Sequence, residues 1–169
     1  MAEMTDHISF PLSAHTFSSS AVFASNDLID TLEIALRRVI ELSPAVSPPL
    51  VKVARPALTA LTRIRIAGRF LIISDHIARD FRLRSEALQS RSREQRIAFA
   101  RQLAMFLCRK ITGAPFESIG EHFNRDHSTI IHAYQLIGRR VRRDPAFRLF
   151  IEKLEGLITG AVPTTAAHP

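Results

Sequence analysis

The stretch Phe123-Asn124-Arg125-Asp126-His127-Ser128-Thr129-Ile130-Ile131-His132-Ala133 gathers the side chains best suited to chemistry in this sequence. Polar groups are packed into five residues, and a hydrophobic pair follows at once. An aspartate accepts hydrogen bonds from the exposed amino group of cytosine or adenine, and a threonine methyl packs against the thymine methyl. The first backbone N–H groups of a helix also favour a phosphate. Such a set at a helix start reads base edges when that end enters a major groove. A plainer role competes with it: Asp126 or Ser128 serves as the helix N-cap.

The elements that must position these residues follow from periodicity and caps. A short helix is predicted over 116–123, then a tight turn at Asn124-Arg125-Asp126. A longer helix runs from His127 or Ser128 to about Arg143. A short helix, a three- or four-residue turn and a longer helix make a helix-turn-helix. Ile119, Phe123, Ile130 and Ala133 are the apolar contacts expected to lock it. Upstream, a helix over about 70–81 is expected to bury Leu71, Ile72, Ile77 and Phe81. A short turn and a basic loop follow over Leu83 to Arg93. A long helix over about 94–111 is apolar around most of its circumference, which marks it as central. Thr112-Gly113 ends it. Asp144-Pro145 opens the last helix, with Asp as N-cap and Pro at the first helical position.

The N-terminal part reads differently. Residues 1–25 lack periodicity and are expected to be disordered. Residues 26–42, with Asn26 or Ser25 as cap, make an amphipathic helix striped by Leu28, Ile29, Leu32, Ala35, Leu36, Val39 and Ile40. Such a stripe must be buried, on its own chain by default or against a second copy. Pro44, Pro48, Pro49 and Pro56 mark 43–56 as a linker and domain boundary. A short helix is expected over 57–68, the main domain over 69–160, and a disordered tail over 161–169. No segment alternates like a strand, so the fold class is all-α: a helical bundle holding a helix-turn-helix, Trp-repressor-like.

Charge separates the two parts. The formal net charge is +7. Residues 1–68 carry as many acidic as basic side chains, so the whole excess lies in 69–169. A polyanion partner is implied for that part, although a solvated cationic surface would look the same. The four arginines Arg139, Arg140, Arg142 and Arg143 are expected to be such a solvated face. The single cysteine, Cys108, excludes an internal disulfide and a cysteine-based zinc site, and it is expected to pack in the core. His122, His127 and His132 are spaced by five and do not converge, so no metal is expected. His132 is expected to pack or bond locally. No nucleophile–base set persuades, so no catalytic residue is assigned and no enzyme activity is expected. No leader and no membrane-length apolar run is read, which suggests a soluble cytoplasmic protein.

The run Arg125-Asp126-His127-Ser128-Thr129, with Ile130-Ile131 and His132-Ala133, resembles the signature of the C-terminal DNA-binding domain of the bacterial replication initiator DnaA. Ala100-Arg101-Gln102-Leu103-Ala104-Met105-Phe106-Leu107 resembles that family's central helix. Phe116 to Gly120 and Asp144-Pro145 also fit, so the likeness covers about residues 70–159. The resemblance implies a DNA contact set: Arg93, with Arg91, in the minor groove from the basic loop; Arg101, Gln102 and Arg109 on the central helix; and Arg125, Asp126, His127, Ser128 and Thr129 from the signature. There are departures. One residue, Asn124, stands where the family has two before Arg-Asp-His. Pro115 replaces a common capping Ser, and Glu117 a common Pro.

The family's Gly-x-x-x-x-Gly-Lys-Ser/Thr phosphate loop is missing from these 169 residues. The expectation is therefore a stand-alone, nucleoid-associated protein without nucleotide, cofactor or ATPase. It is expected to bind double-stranded DNA at DnaA-box-like sites, as a regulator of replication initiation or of transcription. The contrasting reading is a protein-interaction module that kept the fold and lost DNA binding. Dimerisation through the 26–42 helix would raise affinity, since one helix-turn-helix reads few base pairs.

Overall fold

The computed structural model describes residues 20–42 and 48–160, with side chains from Leu28 onward. Six α-helices and one short 3-10 turn make up the described residues, with no strand among them. The helices are α1 (Ser20–Leu42), α2 (Pro48–Asp80), α3 (Gln95–Thr112), α4 (Phe116–Phe123), α5 (His127–Arg143) and α6 (Pro145–Thr159). The 3-10 turn covers Ser85–Leu88.

α3 is the axis of the bundle. Leu103, Ala104, Leu107 and Cys108 are wholly buried, as the near-continuous apolar circumference predicts. Burial pushes the Cys108 thiol far above its usual range, which leaves it a packing group. Around α3 lie Phe70, Ile73 and Ile77 of α2, Ile119 and Phe123 of α4, Ile130 and Ile137 of α5, and Phe147, Ile151 and Leu154 of α6. Each such side chain contributes about 1.5–3 kcal/mol of burial free energy. The ends obey local chemistry. Gly113 takes φ 66° to close α3. Asp144 accepts from the Phe147 N–H at 3.0 Å, with Pro145 next to it, to open α6.

The N-terminal part departs from the sequence reading. One unbroken helix of 33 residues runs where a linker, a short helix and a separate 70–81 helix are expected. Pro48 and Pro49 sit in its first turn, where a missing N–H costs nothing. Pro56 lies inside it. Both Pro56 and Lys52, whose carbonyl loses its helical donor, are on the exposed side, where water replaces the bond. Residues 43–47, with Pro44, lie outside the described residues, as do 1–19 and 161–169. α1 begins at Ser20, so Ser25 and Asn26 are within the helix rather than at its cap. Leu71 is 61% exposed, and Ile73 takes the buried position expected of it.

α1 folds back along α2 as an antiparallel hairpin. Asp30 meets Arg65 at 3.6 Å, while Glu33 accepts from Thr62 at 2.8 Å. Glu33 is nearly enclosed, and its carboxylate is also paired with Arg37 and Arg65. Burial alone would raise its pKa; the bonds from Thr62 and Arg37 and the charges of Arg65 and Arg37 outweigh that and hold it below the usual range. The expected stripe of α1 divides. Ile29, Leu36, Val39 and Ile40 are half-buried, whereas Leu28, Leu32 and Ala35 stay exposed. α2 likewise leaves Leu50, Val53, Ile64 and Leu71 exposed along one row, with Ala57, Ala60 and Ala67 between them.

Candidate nucleic-acid interface

α4 and α5 meet through Ile119, Phe123, Ile130 and Ala133, all buried, as their spacing predicts. The turn between them rests on two backbone features. Asn124 ends α4 at φ 52°, ψ 51°, a left-handed conformation that Asn tolerates better than most residues. Gly120 lies under the turn, and the Arg125 N–H bonds back to its carbonyl at 2.9 Å. A Cβ added at Gly120 would stand 2.6 Å from the Arg125 carbonyl oxygen. A side chain there would force the two helices apart. Pro115 opens α4 without a side-chain cap, so the bond given up at that position is not replaced.

Asp126 opens α5 as its N-cap, its carboxylate accepting from the Ser128 N–H at 2.8 Å. Hydrogen bonding from Ser128, through hydroxyl and then backbone, holds the Asp126 carboxyl below its usual range. The capping role and an outward-facing role coexist: Asp126, His127, Ser128 and Thr129 are all exposed, and His127 Nδ1 lies 3.4 Å from Asp126 Oδ1. His132 is exposed one turn further on, not packed as expected.

The basic loop between the 3-10 turn and α3 is held from below by Arg101. Arg101 as a whole is only 8% exposed. It donates to the carbonyls of Leu88 (2.7 Å), Ser90 (2.8 Å) and Ser92 (3.2 Å). Arg125 donates to the same Ser90 oxygen from the helix-turn-helix side. Burial lowers the Arg101 pKa, and the Arg125 charge adds to that. One backbone oxygen thus ties the loop carrying Arg91 and Arg93, both exposed, to the residue that precedes Asp126. Ser92 and Ser90 turn the loop with side-chain bonds to the Glu94 and Ser92 N–H groups.

The other expected contact residues take mixed places. Gln102 is half-buried beside Arg101. Arg109 donates to the Gly113 and Ala114 carbonyls at 2.7 and 2.6 Å and lies over the Phe116 ring at 4.7 Å. Its guanidinium therefore closes the end of α3. Arg140 departs from the solvated arginine face: it stacks on Phe147 at 4.4 Å and meets Asp144 at 3.8 Å. Arg139, Arg142 and Arg143 are exposed. Two structural residues of the site escaped sequence reasoning. Gly120 has a readable signal, a glycine inside a short helix five residues before the polar run. The Ser90 carbonyl has none, because its partners come from 11 and 35 residues away.

The comparisons with known proteins bear on the same segment. Residues 72–137 match the family described as the bacterial dnaA protein helix-turn-helix. They form a DnaA-type helix-turn-helix segment. The chain is 36% identical over 89 residues to the chromosomal replication initiator protein DnaA of Caldanaerobacter subterraneus subsp. tengcongensis, covering 53% of this chain and 20% of that one. It is 34% identical over 134 residues to the DnaA of Symbiobacterium thermophilum, covering 75% of this chain and 28% of that one. The chain thus spans a fifth to just over a quarter of these relatives. A solved structure described as a DNA replication initiation factor superposes with a TM-score of 0.53 at 21% identity, over 82% of this chain and 47% of that one. That likeness speaks for the all-α fold. Among the described residues no cluster of His, Cys, Asp or Glu is placed to hold a metal ion. No described helix is long and apolar enough to cross a membrane.

Proposed function

We propose that this protein binds double-stranded DNA sequence-specifically through its DnaA-type segment, at sites similar to a DnaA box. The observation that carries this is the shared bond at Ser90. It fixes the loop bearing Arg91 and Arg93 beside the exposed start of α5. Two groups suited to two grooves are thereby held as one surface. In this reading α5 enters the major groove, with Asp126 accepting from a base amino group and the Thr129 methyl meeting a thymine methyl. Arg93, backed by Arg91, enters the adjacent minor groove, whose narrow form concentrates negative potential. His127, Ser128, Arg125 and Gln102 contact bases or flanking phosphates. Arg101 and Arg109 act mainly by fixing the loop and the end of α3, each keeping spare donors for a phosphate.

No enzymatic step, nucleotide or cofactor is part of this reading. The protein acts as a regulator that occupies sites of replication initiation or of transcription, in the cytoplasm and on the nucleoid. A gel-shift on a duplex with one box-like site, against the same duplex scrambled, tests it. The expected result is preference for the box-like duplex and affinity that falls steeply with added salt, as phosphate contacts require. Equal affinity for both duplexes would refute sequence recognition. No binding to either at low salt would refute DNA binding and favour the protein-interaction reading.

A further inference from the structure

The hairpin of α1 and α2 has a second apolar surface that the described chain leaves largely uncovered. In each helix this row precedes the packing row by one residue. Leu28 and Leu32 precede Ile29 and Glu33 on α1, and Val53 and Ala57 precede Ala54 and Leu58 on α2. One residue is a rotation of about 100° in a helix. Two antiparallel helices side by side are related by a twofold axis normal to their common plane, so the same rotation carries both rows to the same side. The two rows form one continuous face. On α2 the spacing of that face alternates three and four from Leu50 to Leu71, the repeat of a coiled-coil seam.

The order of residue sizes along this face indicates what covers it. Glu33 lies level with Thr62, which sets Ala35 level with Ala60. About that level the face is nearly palindromic in α2: Leu50 answers Leu71, Val53 answers Ala67, and Ala57 answers Ile64. In α1, Leu28 answers Leu42 and Leu32 answers Val39, which is half-buried at the edge of the face. A bulky residue meets a small one near the middle, and leucines meet at the ends. An unrelated partner has no need of this symmetry, whereas an isologous interface requires it. The α2 row is about 33 Å long and the α1 row about 22 Å, and with helices about 10 Å apart the face projects roughly 550 Å² before side-chain relief is counted. That approaches the size of one side of a stable interface, about 800 Å² per partner.

We infer that two copies of this chain join through this face as an antiparallel four-helix bundle, with the twofold axis passing Ala35 and Ala60. α2 lies on α2 and α1 on α1, and the helices approach most closely at the alanines. The two Leu71 positions then stand about 32 Å apart along the bundle, so the two helix-turn-helix segments leave at opposite ends. This surface is separate from the proposed DNA contact set and stands whether or not that reading holds.

Light scattering of the full chain after size exclusion, at about 100 µM, measures the mass directly. Twice the mass of one chain is expected. Ile64→Lys is expected to return the monomer with an unchanged far-UV circular dichroism per residue, because Ile64 is already 58% exposed in one chain. Ala60→Cys tests the register: under mild oxidation it is expected to form a disulfide dimer at least tenfold faster than Ala67→Cys, whose two copies lie far apart. Cys108 is buried and gives no background. A monomeric wild-type chain overturns the inference, including the case in which its own first residues cover the face. So does a dimer that survives Ile64→Lys, or cross-linking at 67 as fast as at 60.

Discussion

Arg101 and Arg125 donate to one and the same oxygen, the carbonyl of Ser90. Two like charges are brought together, and among the described residues no acidic side chain is bonded to either. The arrangement holds because Arg101 spreads its donors over four carbonyls of the 3-10 turn and the loop, those of Ala87, Leu88, Ser90 and Ser92. It leaves a concentration of positive charge at the corner where the loop meets the start of α5. A phosphate there is favoured by both guanidiniums at once.

Arg101→Ala is expected to loosen the loop and to destabilise the domain. The carbonyls of Leu88 and Ser90 would lose a charged donor, a change worth about 1–3 kcal/mol. Arg101→Lys is expected to recover little, because a single ammonium lacks the planar fork that reaches several carbonyls. Urea denaturation measures both. Equal stability of Arg101→Ala and wild type would show that the carbonyl bonds contribute nothing.

Gly120→Ala is expected to destabilise by about 1–3 kcal/mol, since the new Cβ meets backbone rather than a flexible side-chain tip. Gly138→Ala makes the control. Its Cβ would meet only ordinary contacts at 3.6 and 3.8 Å, on side-chain atoms of Arg142 and Phe106. A thermal melt of the two variants side by side should separate them clearly.

Arg93→Ala and His127→Ala are each expected to lower affinity for a box-like duplex by about 1–3 kcal/mol while leaving the melting temperature in place. Both side chains are exposed and neither supports the core. Arg93→Ala should also reduce the slope of affinity against salt, by about one if it neutralises a phosphate. Fluorescence anisotropy at several salt concentrations gives both numbers. Unchanged binding in both variants would remove the proposed docking.

Stability is expected to fall on mild acidification because of His122. Its ring is half-buried between Phe70 and Phe123 and shares a hydrogen bond of 3.0 Å with the buried Ser74 hydroxyl. Burial lowers its pKa below the ordinary histidine value of 6.5. The folded state therefore binds this proton less readily than the unfolded one. The contribution is full above the unfolded pKa and is lost as pH falls through it toward the lowered folded value. Urea midpoints at pH 7.5 and 5.5 should differ for wild type and differ less for His122→Gln.

The elements around the candidate site were legible because each carries its own punctuation. Gly113, Asn124 and Asp144-Pro145 mark helix ends by backbone conformation or capping, and the apolar spacing between them is helical throughout. The N-terminal part was not legible in the same way. Pro56 reads as a breaker, but its cost is reduced by an exposed carbonyl and by α1 packed along the far side of the same helix. Leu71 reads as core because the row it belongs to is apolar, and nothing in spacing tells a row facing the chain's own core from a row facing outward. The resemblance marks Arg101 as a DNA contact, whereas the bonds it makes within the chain run to main-chain oxygens 9 to 14 residues earlier, and main-chain oxygens have no sequence signature.

The unbroken course of α2 makes it a transmission shaft. Its first two thirds carry the outward apolar face, and its last third is embedded in the bundle through Phe70, Ile73 and Ile77. With no joint between the two, the rotational phase of one is set by the other through residue count alone. One residue inserted near Gly68 would turn the hairpin by about 100° relative to α5, whereas seven would restore the phase to within about 20°. The helix thus behaves as a gear whose teeth are counted in residues.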